Sequence, residues 1–461
     1  VTTHHFSTPL PADAARAFAW HAQPGALARL LPPWDRVRVR SREGSLRDGQ
    51  VVLELRQGPL TLTWDARHDA AGFVDGTQFV DTQASGPFAH WRHEHRVEPG
   101  AQAGSSVLHD IVRWRLPLDP LSWPARPMVE RVLRRMFAYR HWVTAADLAR
   151  HQPGAAMRIA ITGATGLVGT ALAPFLQGGG HEVIRLVRGA PRGPGEHRWS
   201  PEAGLTDPAA LGPLDAVIHL AGENVAGARW TPAVKARIRD SRIGPTTALA
   251  RSLAAMPVKP RVFISASAIG YYGNRGGEPL TERSAPGQGF LPETCQAWEA
   301  AADPARAAGI RVVHPRFGII LDARGGALGK MRLPFSLGLG GPLGAGTQYF
   351  SWVGMEDVLG ALLFALTHDE VAGPINVTAP NPVTNAEFTR TLGRVLRRPA
   401  VIPVPAFALT ALFGEMADAE LLGSKRVLPA ALQQAGFPFL HPHLEDALRF
   451  TLGRVEATPL A

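Results

Sequence analysis

Eight consecutive residues carry the strongest chemical signal in the chain: Thr162-Gly163-Ala164-Thr165-Gly166-Leu167-Val168-Gly169. They follow a short apolar run, Met157-Arg158-Ile159-Ala160-Ile161, and precede a helical pattern over residues 170–176. Glycines spaced this way between a strand and a helix let the main chain approach a pyrophosphate closely. The helix that follows turns its free amide groups and positive end toward that anion. A second strand, 182–188, comes after the turn Gly178-Gly179-Gly180, so the motif sits inside a βαβ-sized unit. At the end of that second strand an NAD site usually places Asp or Glu against the ribose 2′-hydroxyl. Here the chain has Val187-Arg188, with Arg192 nearby. A carboxylate repels a 2′-phosphate, whereas a guanidinium can hold it by two hydrogen bonds. The residues therefore point to a dinucleotide site that prefers NADP(H) to NAD(H).

Several elements must position that turn. Strand-like runs at 215–222, 261–267 and 311–318 alternate with helical stretches, including 232–240 and 246–255. This alternation predicts an α/β fold, a doubly wound parallel sheet with its ligand at the carboxyl ends of the strands. The first 150 residues read differently. Strand-like runs at 36–39, 51–55, 60–64, 93–97 and 107–116 are separated by short turns, which predicts an antiparallel meander. A helical stretch over 11–28 precedes it. A second follows, with Val129, Val132, Leu133, Met136, Phe137 and Val143 at helical spacing and Pro127 near its start. The order of strand, helix, meander and long helix describes an α+β domain, a curved sheet wrapped on a helix, which can enclose an apolar cavity. Residues 151–156 read as a linker. The expected boundaries are 1–152 and 157–455, with a substrate subdomain mainly at 320–350 and 376–455.

Composition narrows the function. A chain of 461 residues predicts about three domains. With 45% hydrophobic and 19% charged residues it is globular rather than disordered. The single cysteine, Cys295, excludes an internal disulfide framework and a Cys-rich zinc site. The 48 Lys+Arg against 39 Asp+Glu give a net charge of +9. The basic residues are scattered, and only Lys235, Lys259, Lys330 and Lys425 are lysines, so no nucleic-acid partner is expected. No apolar stretch is long enough to span a bilayer and no charged-then-apolar leader opens the chain, so a cytoplasmic protein is expected. Val1 in place of a methionine points to a segment trimmed upstream. His93 and His95 would share one face of a strand, with His90 nearby. No carboxylate motif accompanies them, so they read as surface or pocket polar residues and no metal is expected.

The glycine turn, Asp215-Ala216-Val217-Ile218-His219-Leu220-Ala221-Gly222, Ser265-Ala266-Ser267-Ala268-Ile269-Gly270-Tyr271-Tyr272-Gly273 and Pro315-Arg316-Phe317-Gly318 together resemble an extended short-chain dehydrogenase/reductase. The narrower resemblance is to the epimerase/dehydratase-like branch. The segments from Pro405-Ala406-Phe407 to Gly414-Glu415-Met416 and Ala435-Gly436-Phe437 are similar to that branch's small C-terminal domain. Residues 3–150 resemble the helix-grip superfamily (START-like, SRPBCC), whose members bind lipids or other apolar ligands. The resemblance implies that Gly163, Thr165, Gly166, Leu167 and Val168 hold the pyrophosphate and Arg188 the 2′-phosphate. It implies that Leu220, Ala221, Gly222 and Glu223 line the adenosine side, with Ser265, Ala266, Pro315, Arg316 and Phe317 against the nicotinamide. Ser267 matches the family's catalytic serine, and Gln348, Ser351 and Trp352 border the substrate.

The same resemblance exposes a gap. The family's chemistry uses a tyrosine as acid/base and a lysine four residues later. Four residues after Tyr139, Tyr271, Tyr272 and Tyr349 stand Val143, Arg275, Gly276 and Val353. Aligning the helix on Trp298-Glu299 puts Leu291 and Cys295 at the tyrosine and lysine positions. Gly354 stands where many relatives carry histidine. Tyr271 or Tyr272, with Ser267, is the expected substitute, and Glu223 or Glu299 the proton acceptor. The expected activity is hydride transfer on a small hydroxy or keto substrate, a nucleotide sugar being one class. The alternatives are a non-catalytic NADPH sensor and an apolar-ligand carrier working through the N-terminal domain.

Overall fold

Alternating exposure along the first strand, Thr2–Leu10 (β1), marks a sheet with one wet face and one packed face. The computed structural model describes residues 1–58 and 60–454. Val455, the last residue of the expected second domain, lies outside them. The chain forms two compact units, one of Val1–Ala156 with Pro174–Gly180, the other of Met157–Ala173 with His181–Thr451.

In the first unit, β1 is joined by β2 (Val37–Glu43), β3 (Gln50–Gln57), β4 (Leu60–His68), β5 (Gln78–Ser85), β6 (His90–Pro99) and β7 (Ser106–Arg115). They form one antiparallel sheet in the order β1-β7-β6-β5-β4-β3-β2. Helix α1 (Ala14–Ala22) starts where the Asp13 carboxylate accepts the Arg16 amide at 2.8 Å. Helix α2 (Arg126–Arg150) has a proline in its first turn, where no intrahelical bond is lost. Leu133 and Phe137 of α2 pack with Trp91, Val112 and Trp114 of the sheet.

Two features depart from the sequence reading. Strand β5 was not anticipated, because its sequence Gln-Phe-Val-Asp-Thr-Gln-Ala-Ser is largely polar. His93 and His95 share a face and are buried, as the pocket alternative has it, but carboxylates do accompany them. Their carboxylate partners, Asp81 and Asp110, come from the flanking strands β5 and β7.

In the second unit, seven parallel strands are the frame: β8 (Arg158–Thr162), β9 (Glu182–Val187), β10 (Glu196–Ser200), β11 (Ala216–His219), β12 (Val262–Ser265), β13 (Arg311–Phe317) and β14 (Gly373–Val377). They run in the order β10-β9-β8-β11-β12-β13-β14. Gly204–Leu205 extends the sheet at the β10 edge, and Ser267–Ala268 rejoins it beside β13 after a break at Ala266. Helix α3 (Leu167–Gly178) leaves the glycine turn. Two helices were expected over 232–255, and one is found, α4 (Pro232–Ala255). Pro245 interrupts its hydrogen bonds but does not end it, because Pro245, Thr246, Leu249 and Leu253 are buried along it. Among the described residues, no helix is long and apolar enough to cross a membrane.

Buried polar groups at the strand ends fix the sheet's register. The Thr162 hydroxyl accepts the Leu220 amide at 3.2 Å and lies 2.7 Å from His219 Nδ1. Burial lowers the His219 pKa to about 4 from 6.5. This contribution to stability is whole above about 6.5 and is lost as the pH falls from there through about 4. The unfolding temperature should therefore drop over that window, and the drop should be shallower in His219→Asn. An identical acid profile for the two proteins would contradict this.

Candidate functional site

Gly163 adopts φ +68°, and a Cβ there would stand 2.7–2.9 Å from the Leu220 carbonyl and the Ala221 nitrogen. Only glycine lets the β8 exit lie this close to the β11 exit. A Cβ on Gly169 would collide with the Gly163 carbonyl, so α3 packs equally tightly on the turn. The Gly166 amide donates to Gly163 O at 2.9 Å, which closes the turn. Thr165 and Gly166 are exposed at its rim, and Leu167 and Val168 form the first turn of α3. Amides in a first helical turn have no intrahelical acceptor. This cradle fits a pyrophosphate. Arg188 is exposed just past the end of β9, with no hydrogen bond or ion pair among the described residues. Leu220, Ala221, Gly222 and Glu223 form the loop beyond β11, beside the glycine turn.

A cavity of about 480 Å³ adjoins the carboxyl ends of the sheet. Leu167, Glu223 and Phe317 line it, so its wall is shared with the expected cofactor site. Its apolar wall includes Ile238, Leu291, Cys295, Trp298 and Ile319. Leu291 and Cys295 are one turn apart on helix α5 (Phe290–Ala300), at the positions that the resemblance assigns to the tyrosine and lysine. Burial, with the Glu299 charge adding to it, pushes the Cys295 thiol up to about 12. The wall therefore carries a neutral thiol in place of a cation.

The expected catalytic side chains bond to one another. Ser267 Oγ donates to Glu299 Oε1 at 2.7 Å. Arg316 meets both Glu299 oxygens at 2.8 Å and donates to the Tyr272 hydroxyl at 2.9 Å. Tyr272 in turn donates to Asn376 Oδ1 at 2.7 Å. Burial raises the Tyr272 phenol to about 12 in spite of Arg316 beside it. Burial opposes the Arg316 charge, but Glu299 more than offsets it and raises the pKa. Arg316 lies 3.5 Å above the Tyr271 ring, a cation–π contact. Ser267, Tyr271 and Tyr272 are not among the residues that line the cavity.

Ser265 and Ala266 are buried at the end of β12, and Pro315, Arg316 and Phe317 end β13. Gln348 and Ser351 line the cavity, but their polar groups are engaged. Gln348 Nε2 donates to Leu343 O and Leu421 O, at 3.1 and 3.0 Å. Ser351 Oγ donates to Lys425 O at 2.7 Å. Trp352 is fully buried, with its indole N–H on Asn381 O at 3.2 Å, away from the cavity wall.

The sequence reading did not single out the two cations on that wall. Arg242 Nη2 donates to Glu223 O at 2.8 Å, and its guanidinium lies 5.0 Å from the Trp298 ring. Lys425 Nζ donates to Ala419 O at 2.7 Å and to Glu420 Oε1 at 3.2 Å. No local motif marks either residue. The only hint is that lysine is so rare in this chain.

Three family models match the chain. They are the NAD dependent epimerase/dehydratase family over residues 159–313, the polyketide cyclase/dehydrase and lipid transport family over 10–138, and a domain of unknown function (DUF1731) over 404–451. An epimerase family protein of Mycobacterium tuberculosis is 46% identical over 296 residues, covering 64% of this chain and 98% of that protein. The crystal structure of the nucleoside-diphosphate sugar epimerase from Corynebacterium glutamicum matches with a TM-score of 0.81 and 36% identity, over 99% of this chain and 91% of that one. The crystal structure of a human epimerase family protein with NADPH matches with a TM-score of 0.60 and 35% identity, over 65% of this chain and 100% of that one.

The buried, protonated Cys295 thiol gives a direct check on the cavity. N-ethylmaleimide at pH 8 should leave the native chain unmodified by intact mass and label it once after unfolding. Rapid labelling of the native protein would contradict this description.

Proposed function

The chain belongs to the epimerase family of Rossmann-fold, NAD(P)-binding proteins, and on that premise we propose that it binds NADP(H) and carries out hydride transfer on a small hydroxy or keto compound in the adjoining cavity. One observation carries this reading: the cavity of about 480 Å³ shares Leu167, Glu223 and Phe317 with the site that the glycine turn organises. Gly163, Thr165, Gly166, Leu167 and Val168 would hold the pyrophosphate, and Arg188 the 2′-phosphate. Leu220 to Glu223 would flank the adenosine ribose, and Ser265, Ala266, Pro315 and Phe317 would back the nicotinamide. Bound NADPH supplies a hydride at nicotinamide C4.

The chain's own part is to position the substrate and exclude water. Lys425 carries three N–H groups and uses two of them on Ala419 and Glu420, which leaves one to hydrogen-bond a substrate oxygen and to give it the proton that it takes up as hydride reaches the carbon. Arg242 adds a second positive charge on the same wall. Two cations and two carboxylates, Glu223 and Glu420, beside an apolar floor suit an oxygen-rich compound with many hydroxyl groups. A nucleotide sugar, the class named for the Corynebacterium glutamicum relative, fits that description. Arg316 and Glu299 would position Ser267 and would not react themselves.

A sensor that binds NADPH without turnover is the second reading. Its support is the apolar Leu291 and the protonated Cys295 on the wall, together with the Tyr272 hydroxyl engaged by Arg316 and Asn376.

NADPH should raise the melting temperature more than NADH at equal concentration. Arg188→Ala should weaken NADPH binding by about 10–100-fold, the worth of charge-assisted hydrogen bonds, and remove the preference. Equal shifts with both nucleotides would refute the proposed role of Arg188. For turnover, deuteride from 4-deuterated NADPH should add to the carbonyl carbon of a member of a panel of nucleotide keto-sugars, leaving deuterium on the new carbinol carbon within a single turnover, and more slowly in Lys425→Ala. Tight NADPH binding with no transfer to any panel member would favour the sensor.

A further inference from the structure

The inner face of the first unit carries a cluster of ionisable side chains that the dinucleotide site does not use. Strand register assembles it. His93 of β6 pairs across from Asp81 of β5, and His95 pairs across from Asp110 of β7. His141 reaches the same place from α2. Side-chain exposures of 2% for His93 and 3% for Asp110 put the cluster in the interior.

The two imidazoles present one edge to each carboxylate. On one edge, Asp81 Oδ2 lies 3.0 Å from His93 Nδ1 and 3.5 Å from His95 Nε2. The other Asp81 oxygen accepts the Trp91 indole N–H at 3.1 Å. On the opposite edge, Asp110 Oδ1 lies 3.1 Å from His93 Nε2 and 2.7 Å from His95 Nδ1. These three atoms are sealed from solvent, yet none of them makes an aligned hydrogen bond. The second Asp110 oxygen is 2.8 Å from His141 Nε2.

Buried donors and acceptors are normally paired, so three close, unaligned lone-pair atoms need a common partner. Two ligand atoms on one tetrahedral metal, each at about 2.0–2.1 Å, stand roughly 3.3 Å apart. The His93 Nε2–Asp110 Oδ1 spacing of 3.1 Å is close to that value, and the His95 Nδ1–Asp110 Oδ1 spacing of 2.7 Å would open by about half an ångström on binding. Charge gives a second argument. Asp81 and Asp110 bring two buried negative charges; the imidazoles offset them only when protonated, the direction in which the two carboxylates push His93 against the effect of its burial, and a divalent cation would offset them with the imidazoles neutral. The surroundings give a third. Ligating histidines usually place the other ring nitrogen on a carboxylate, as both do on Asp81, and ligating carboxylates are themselves hydrogen-bonded, as Asp110 is to His141. Two nitrogens and one oxygen are too few hard ligands for calcium or magnesium and suit a first-row transition metal.

We propose that the first unit binds a divalent transition-metal ion of the zinc class through His93 Nε2, His95 Nδ1 and Asp110 Oδ1, with Asp81 and His141 as positioning residues. A ligand atom from each of Asp81, His93 and His95 also falls within 4.8 Å of the others, so the opposite edge of the same two imidazoles is a second place that could hold the ion, and the double histidine variant removes both. The sequence leads to no expected metal because no carboxylate motif accompanies the histidines; Asp81 and Asp110 lie 12 or more residues from them in the chain.

The test uses the full chain without an affinity tag, expressed in zinc-supplemented medium or refolded with zinc, desalted and analysed by mass spectrometry for metals. The proposal expects about one zinc per chain. It also expects visible d–d absorption when cobalt(II) replaces zinc. His93→Gln combined with His95→Gln should lose the metal, and His141→Gln should weaken its binding about 10–100-fold. His90→Gln, at an exposed position, should retain it. Less than a tenth of an equivalent in the wild-type chain under both loading conditions would overturn the proposal, whatever the variants do. So would undiminished zinc in a double variant whose circular dichroism matches the wild type.

Discussion

The structure turns on a contact that only a missing side chain allows. The β8 exit runs so close to the β11 exit that any Cβ on Gly163 would meet the Leu220 carbonyl. That approach sets where the chain turns, and so where α3 begins and which way its first amides face. The Thr162–His219 contact and the Leu220 amide hold the two strand ends together from behind. A cradle of main-chain amides open to an anion is a by-product of this packing, because such amides can face an anion only where no side chain intervenes.

The other end of the sheet is organised by charge. Arg316 and Glu299 form a bidentate pair whose side chains are 3% and 14% exposed, and Ser267 and Tyr272 attach to it from either side. Removing one partner of such a pair typically costs about 3–5 kcal/mol, so the network serves the fold as much as the site. It engages two hydroxyls, those of Ser267 and Tyr272, that the sequence offers as catalytic. With Leu291 and Cys295 on the cavity wall, the cations there are Arg242 and Lys425, which come from α4 and from the C-terminal region that the DUF1731 model covers.

Much of this was legible in the sequence where the signal is local. The glycine turn, the strands on either side of it and the start of α2 near Pro127 all follow from neighbouring residues. What failed was long-range. Polar β5 has no hydrophobic alternation to betray it, and without β5 the carboxylate of Asp81 cannot be placed beside His93. Pro245 reads as a helix end because propensity is local, whereas the burial that carries α4 through it is tertiary. Tyr272 looks free in a loop until the fold brings Arg316 and Asn376, 44 and 104 residues away, to its hydroxyl. Motif spacing located the glycine turn and the strand ends around it, but it could not show which side chains there were already engaged.

Calorimetric titration of the full chain with NADPH tests the central claim most directly. The account predicts saturable binding at about one nucleotide per chain, the stoichiometry of a single Rossmann turn. It also predicts a steep loss of affinity in Gly163→Ala, where the new Cβ must push the two strand exits apart. Failure of the wild-type protein to bind any pyridine nucleotide, or undiminished binding by a folded Gly163→Ala, would contradict it.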